Sequence, residues 1–334
     1  MLFNQTHIFR TVFTACCIVL LFSLLPACAR VQPESTENDL VAAAPRRPVK
    51  VQPENVDYDF PEYPSIRNNV AFWEKIYSVY SINSAVIHDQ YDMTKIYGVI
   101  SLISEDLPDA RQINNSRMKA AKERYAQILR RLASGQSPET DEEAKITNMF
   151  RGPNARKAMQ FASDNIRAQT GQKERFLEGV QRSIKYMPKI KKIFREYGLP
   201  ADLAYLPHVE SSFNIEAYSK CGAAGMWQFT RGTGKQYMKI NDDVDERRDP
   251  LKSTHAAAQL LQKNYDTLGA WPLALTAYNY GTAGMVRAKD AHGSYENIFR
   301  HYEEGYFKFA SRNFYSEFLA ARKVAKRYEG SFAR

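Results

Sequence analysis

The sequence predicts an all-α protein, and three observations lead there. Apolar residues recur at three- and four-residue steps in several separate stretches. Glycine is scarce, with 16 in 334 residues, which argues against a β-rich or dinucleotide-binding fold. No series of alternating short strands of useful length interrupts the helical pattern, and no internal repeat is present.

Hydrophobic residues are 44% and charged residues 25%, so the chain has the composition of a core-forming globular protein rather than a disordered one. Its length leaves room for two domains. The formal charge of +9 suggests a polyanionic partner: nucleic acid, a membrane surface or a cell wall. Charge alone does not choose among them. Four cysteines are too few for a disulfide scaffold of this size.

The first element is an export signal. Arg10 precedes an apolar run from Val12 to Leu25, shorter than the ~20 residues that span a bilayer. The run ends in Leu25-Pro26-Ala27-Cys28, which resembles a bacterial lipobox. That resemblance implies removal of residues 1–27, lipidation of Cys28 and, with Ala29 next, outer-membrane placement facing the periplasm of a Gram-negative cell. An ordinary signal peptide with an incidental cysteine is the alternative. Cys16 and Cys17 leave with the signal and Cys28 carries lipid, so Cys221 has no partner for an internal disulfide. Export also removes nucleic acid from the list of partners.

Residues 28–65 read as a flexible tether. Six of the 15 prolines fall between 31 and 64, beside an alanine run at 42–44 and no apolar periodicity. Residues 66–170 read as a helical N-terminal domain. Its stripes are Val70, Trp73, Tyr77 and Tyr80; then Ile96, Val99, Ile100 and Ile103; then Met118, Ala121, Tyr125, Ile128 and Leu132, closed near Gly135. Residues 171–334 read as a second domain. It opens on a stripe of Phe176, Val180, Ile184, Met187, Ile190, Phe194 and Tyr197, punctuated by Gly198 and Pro200.

The chemistry lies after Pro200. Leu203, Leu206 and Glu210 share one helix face, with Asp202 at the positive end of the helix. A carboxyl on an apolar face is a candidate general acid, because poor solvation raises its pKa. Alone, Glu210 reads equally as an exposed carboxylate at a frayed helix end. Downstream, Gly222 and Gly225 permit a tight turn, and Trp227 and Gln228 offer an apolar face and an amide. Asp249-Pro250 caps a helix through Ala257, Leu260, Leu261 and Tyr265 that stops at Gly269. Ala277-Tyr278-Asn279 follows Trp271-Pro272.

Glu210-Ser211, then Gly222-Ala-Ala-Gly-Met-Trp-Gln228, then Ala277-Tyr278-Asn279 resemble the lytic transglycosylases of the goose-type-lysozyme superfamily, in the branch of membrane-bound lytic murein transglycosylase D. The resemblance spans roughly 185–325. It implies a lysozyme-like catalytic domain that cleaves the β-1,4 bond between N-acetylmuramic acid and N-acetylglucosamine in peptidoglycan glycan strands, leaving 1,6-anhydromuramic ends. It implies Glu210 as the sole acid and then base, and Ser211, Met226, Trp227, Gln228, Tyr278 and Asn279 as substrate-binding residues. Met226 and Trp227 would line the groove, or one of them would turn into the core. It implies no metal and no cofactor. Arg231 and Thr230 depart from residues common in the family, and LysM repeats are absent.

Two other functions compete. A hydrolytic lysozyme or chitinase of the same fold needs a positioned water and a second acid, for which no residue stands out. A non-catalytic wall-binding lipoprotein would not need Glu210, Gln228 and Tyr278 together. Other motifs fail on their own terms. His208-Val-Glu210 lacks the Pro-Cys-x-x-Cys of a zinc deaminase. Gly232-Thr-Gly-Lys235 has Phe229 and Gln236 where a phosphate loop needs Gly and Ser/Thr. The basic run 189–193 reads as a solvated helix face, and Asp242, Asp243 and Asp245 as a loop before the Asp249 cap.

Overall fold

The computed structural model describes residues 59–332. The signal segment, Cys28 and most of the expected tether lie outside the described residues. The elements are α1 (Arg67–Ser78), β1 (Ser84–Asp89), β2 (Ile96–Ser101), α2 (Ala110–Ala133), α3 (Asp141–Asn148), α4 (Ala155–Ser163) and β3 (Ile166–Thr170). They continue with α5 (Lys173–Ser183), α6 (Met187–Glu196), α7 (Leu206–Glu210), α8 (Arg231–Gly234), α9 (Pro250–Leu268), α10 (Trp271–Tyr280), α11 (Thr282–His292), α12 (Tyr295–His301) and α13 (Phe309–Phe332). Helix dominates, as expected. No helix among the described residues is long and apolar enough to cross a membrane.

The expected all-helical N-terminal region holds a three-stranded antiparallel sheet in the order β2-β1-β3. The stripe at Ile96, Val99 and Ile100 therefore lies on a strand, which corrects the helical reading. The physical reason is twofold. Ile-Tyr-Gly-Val-Ile is rich in residues that suit a pleated surface. Gly98 also lets α2 approach closely, since a Cβ there would lie 2.0 Å from the Tyr125 hydroxyl. β1 is buried along nearly its whole length, which requires a neighbour on each side.

The stripe expected as one helix from Phe176 to Tyr197 is two. Pro188 starts α6 at its favoured position, and Ile184 in the break is exposed. The remaining stripes hold, except that Tyr80 lies beyond the end of α1 at Ser78. Met118, Ala121, Tyr125, Ile128 and Leu132 are buried on α2, which ends before Gly135 at φ +95°.

Two main cores result. A smaller one places Ile87 and Tyr97 of the sheet against Tyr125, Leu129, Ile146, Phe150 and Met159 of α2–α4. The larger one runs through α5–α13 and also takes in Val70, Trp73, Ile76 and Tyr77 of α1, which packs along α13. The stretch 66–170 thus divides between the cores. Residues 59–65 are also not loose. Phe60 is buried against Trp271 and Phe318, the Tyr315 hydroxyl donates to the Pro61 carbonyl at 3.0 Å, and Lys323 pairs with Glu62. Phe60, Tyr63 and Ile66 supply the apolar contacts that the proline count concealed.

Candidate active site

Glu210 is the last residue of α7, a short helix that Pro207 helps to start. A preceding 3-10 turn carries Asp202, which pairs with Arg322 and Lys326 of α13, each at 2.6 Å. These ion pairs fasten the turn before α7 to α13. Asp202 thus acts through side-chain partners rather than as a helix-end charge alone.

The chain then turns sharply. Ser212 and Phe213 have φ of +51° and +58°, a left-handed conformation that is strained in residues with a Cβ. Three contacts hold it. The Phe213 amide donates to the Pro207 carbonyl at 3.1 Å, the Arg182 Nε donates to the Ser212 carbonyl at 3.0 Å, and Gly179 of α5 gives Ser212 room.

Glu210 is 8% exposed as a residue, and its carboxyl accepts no hydrogen bond among the described residues. Burial pushes its pKa up to about 8, so it carries a proton at neutral pH. Tyr278 of α10 stands beside it: burial holds the phenol well above its usual range, and the Glu210 charge adds to this. The Tyr278 hydroxyl donates to the Trp227 carbonyl at 2.8 Å.

That carbonyl belongs to the second wall, the loop 222–229. Gly225, at φ +76°, is required there, since a Cβ would lie 1.9 Å from the Arg247 carbonyl. Arg247 is buried and threads the loop. It donates to the Gly222 carbonyl at 2.7 Å and the Phe229 carbonyl at 3.0 Å while paired with Asp245 at 2.6 Å.

The expected site residues separate on inspection. Glu210, Tyr278 and the Trp227 backbone come together. The side chains of Met226 and Trp227 are 1% and 0% exposed, so neither lines a groove, which corrects that expectation. The Trp227 indole N–H finds a buried acceptor in the Thr254 hydroxyl at 2.9 Å, and its ring meets Phe194 edge-on. Ser211 Oγ donates to the Met226 carbonyl at 2.8 Å, tying the two walls. Gln228, at φ +50°, donates through Nε2 to the Gly225 carbonyl at 2.8 Å. Asn279 is buried and its Oδ1 accepts from Ser311 Oγ of α13 at 2.7 Å.

Sequence reasoning missed a second buried carboxyl. Glu317 of α13 is 4% exposed, and burial, with the Glu210 charge added, holds it well above the carboxylate range; Arg167 pulls the other way. Tyr77 of α1 lies in the field of both acids. The signal was present as one acid in the apolar run Phe314-Tyr-Ser-Glu-Phe-Leu. Arg247 was missed as well. His208 is an apolar-packed ring: Phe176 stacks on it at 5.0 Å, and burial lowers its pKa to about 3.

A protonated, unbonded carboxyl opposite a fixed backbone wall can donate a proton to a bound ligand and take one back. Residues 188–298 match the Transglycosylase SLT domain family. Over 107 residues the chain is 38% identical to the membrane-bound lytic murein transglycosylase D of Escherichia coli strain K12, an alignment covering 31% of this chain and 23% of that protein. The counterpart in E. coli O6:H1 strain CFT073 gives the same identity and coverage. The chain thus spans about a quarter of the length of the curated relatives it matches.

Proposed function

We propose that this chain, with residues 188–298 as its transglycosylase SLT domain, is a lytic transglycosylase acting on peptidoglycan. The state of Glu210 carries the reading: a buried carboxyl that keeps its proton at neutral pH and has no donor or acceptor bound to it among the described residues. Such a group meets a glycosidic oxygen already protonated.

The proposed steps follow from one acid. Glu210 gives its proton to the oxygen leaving C1 of N-acetylmuramic acid, and the C1–O bond breaks. The sugar's own 2-acetamido group stabilises the oxocarbenium-like carbon. The Glu210 carboxylate then takes the proton of the C6 hydroxyl, whose oxygen bonds to C1. The acid is restored, a 1,6-anhydro ring forms, and no water, metal or cofactor enters. Tyr278 holds the wall beside the acid through the Trp227 carbonyl. With Nε2 of Gln228 committed to Gly225, its Oε1 is the end that meets the acetamido N–H. Ser211 ties the two walls through the Met226 carbonyl, and Asn279 ties α10 to α13 through Ser311.

Glu317 favours one competing reading. Ordinary glycosidases use two carboxyl groups, and a second buried acid is present. Mass spectrometry of peptidoglycan digested by the full chain separates the two. Fragments lighter by one water, with anhydro ends, are expected; reducing ends in their place would overturn the lytic reading.

The same proposal covers the rest of the chain. Residues 1–27 direct export, Cys28 carries lipid, and the segment up to about residue 58 tethers the folded part at the outer membrane. The relatives named membrane-bound support this placement. Radiolabelled palmitate is expected in the wild type and not in Cys28→Ala; equal labelling would remove the anchor.

A further inference from the structure

A cavity of about 220 Å³ opens between the small sheet and the start of α13. Tyr91 and Arg167 line it from the sheet side, and Glu303, Lys308, Phe309 and Arg312 from the other. Three cations and one carboxylate leave it net positive. Most of these charges are engaged. Arg312 donates to the Tyr302 and Phe299 carbonyls and reaches Glu303 at 3.4 Å. Lys308, exposed at the mouth, reaches the Glu303 carbonyl at 3.3 Å.

Arg167 differs. Its guanidinium lies over the Phe309 ring, 3.8 Å from the centroid, and no acceptor or ion-pair partner reaches it among the described residues. Burial lowers its pKa, the mark of a cation removed from water. A half-buried guanidinium with no hydrogen bond among the described residues has N–H donors open to a ligand. The ring holds its plane and leaves the fork free for a planar anion, the geometry that suits a carboxylate.

We propose that this cavity binds a carboxylate on the peptide branch of a peptidoglycan strand, with Arg167 as its two-pronged partner and Lys308 as a second charge at the mouth. The identity of the ligand rests on the lytic reading. Size supports it: the volume is below the ~300–1,000 Å³ that encloses a drug-sized ligand, and so fits the end of a side branch. Position supports it too. Arg167 lies in the field of Glu317, Glu317 in that of Glu210, and Ser311, two residues from Phe309, is bonded to Asn279.

Calorimetric titration of the full chain tests this with three probes: the stem peptide released from peptidoglycan by an amidase, its fully amidated form, and inorganic phosphate. The acid peptide is expected to bind, the amidated form about tenfold more weakly, and phosphate not to displace it, a loss matching one charged hydrogen bond. Arg167→Gln and Lys308→Gln should each weaken the acid peptide and not the amidated one. Lys308 is exposed, so its variant folds even where Arg167→Gln does not. Both variants should also raise the ratio of KM on peptide-bearing glycan to KM on peptide-stripped glycan. Equal binding of both peptides, insensitivity to both variants, or displacement by phosphate would each overturn the proposal; the last would assign the cavity to a phosphate headgroup. Charge-dependent peptide binding without anhydro products would overturn the lytic reading alone, and anhydro products without it would overturn the cavity alone.

Discussion

Asp89, in the sheet module, and Glu210, in the helical core, are both buried carboxyls at the end of a short element, yet their surroundings differ. Asp89 accepts from the amides of Tyr91 and Asp92 at 2.8 and 2.9 Å and from the Tyr97 hydroxyl at 3.0 Å. Both its oxygens are satisfied from within, and it organises the turn into β2. Glu210 meets only burial, and its proton stays on. The contrast teaches that burial alone does not define an acid; the absence of donors does. Three donors make a structural anchor of one carboxyl, and their absence leaves the other a candidate acid.

The largest expected effect breaks this contrast at Glu210. Glu210→Gln should lower anhydro-product formation by about 10²–10⁴-fold, the range for removal of a general acid–base. It should also stabilise the fold. A carboxyl with a folded pKa near 8 and an unfolded value of 4.5 contributes nothing unfavourable below pH 4.5 and opposes folding progressively as pH rises toward 8. At pH 7 the opposition is about 3 kcal/mol, which the neutral amide removes. Urea unfolding at pH 7 and pH 4 checks this, since the gain should vanish at the lower pH. The same titration sets the rate profile: cleavage should fall as pH rises through about 8.

Gly225→Ala comes next. Its Cβ would sit 1.9 Å from the Arg247 carbonyl at a φ of +76°, so the loop must shift or the fold must yield about 3 kcal/mol. Loss of activity together with a lower Tm is expected. An unchanged Tm would mean that Arg247 does not hold this wall. Asp89→Asn should be milder, costing about 1–3 kcal/mol as one acceptor in a buried hydrogen-bond set is lost. The pH midpoint of cleavage should not move. A moved midpoint would show that the two carboxyls are coupled across the cores.

What the sequence disclosed follows the range of the interactions. The α9 cap was readable because all its parts are local: Asp249 accepts from the amides of Leu251 and Lys252, Pro250 follows, and Gly269 ends the helix at φ +77°. Glu210 was readable because its face is set by the spacing of Leu203 and Leu206. The sheet was not, because Ile96, Val99 and Ile100 fit a helical spacing and only the pairing with β1 and the approach of Tyr125 decide otherwise. The tether was overextended because prolines hid the anchors Phe60 and Tyr63, whose partners Phe318 and Tyr295 lie near the far end of the chain. Glu317 and Arg247 escaped for the same reason: an acid in an apolar helix or an arginine in a polar loop gains its role from neighbours distant in the chain.

Glu317→Gln gives the smallest expected effect and the sharpest test of the comparison. Glu317 is buried as Asp89 is, and burial with the Glu210 charge raises its pKa, which favours the protonated acid. A neutral amide in place of a neutral acid removes no charge. The midpoint of cleavage near pH 8 should therefore stay in place, with a loss in rate of no more than about tenfold from altered hydrogen bonding. Suppose instead that Glu317→Gln lowered the rate about 10²-fold or more and the wild type released reducing ends. Glu317 would then be ionised at neutral pH and acting on water, and the site would use two carboxyls. An unmoved midpoint with anhydro products leaves Glu210 as the single reagent, set apart from Asp89 by the donors it lacks and from Glu317 by its place at the end of α7, beside the wall that Tyr278 fixes.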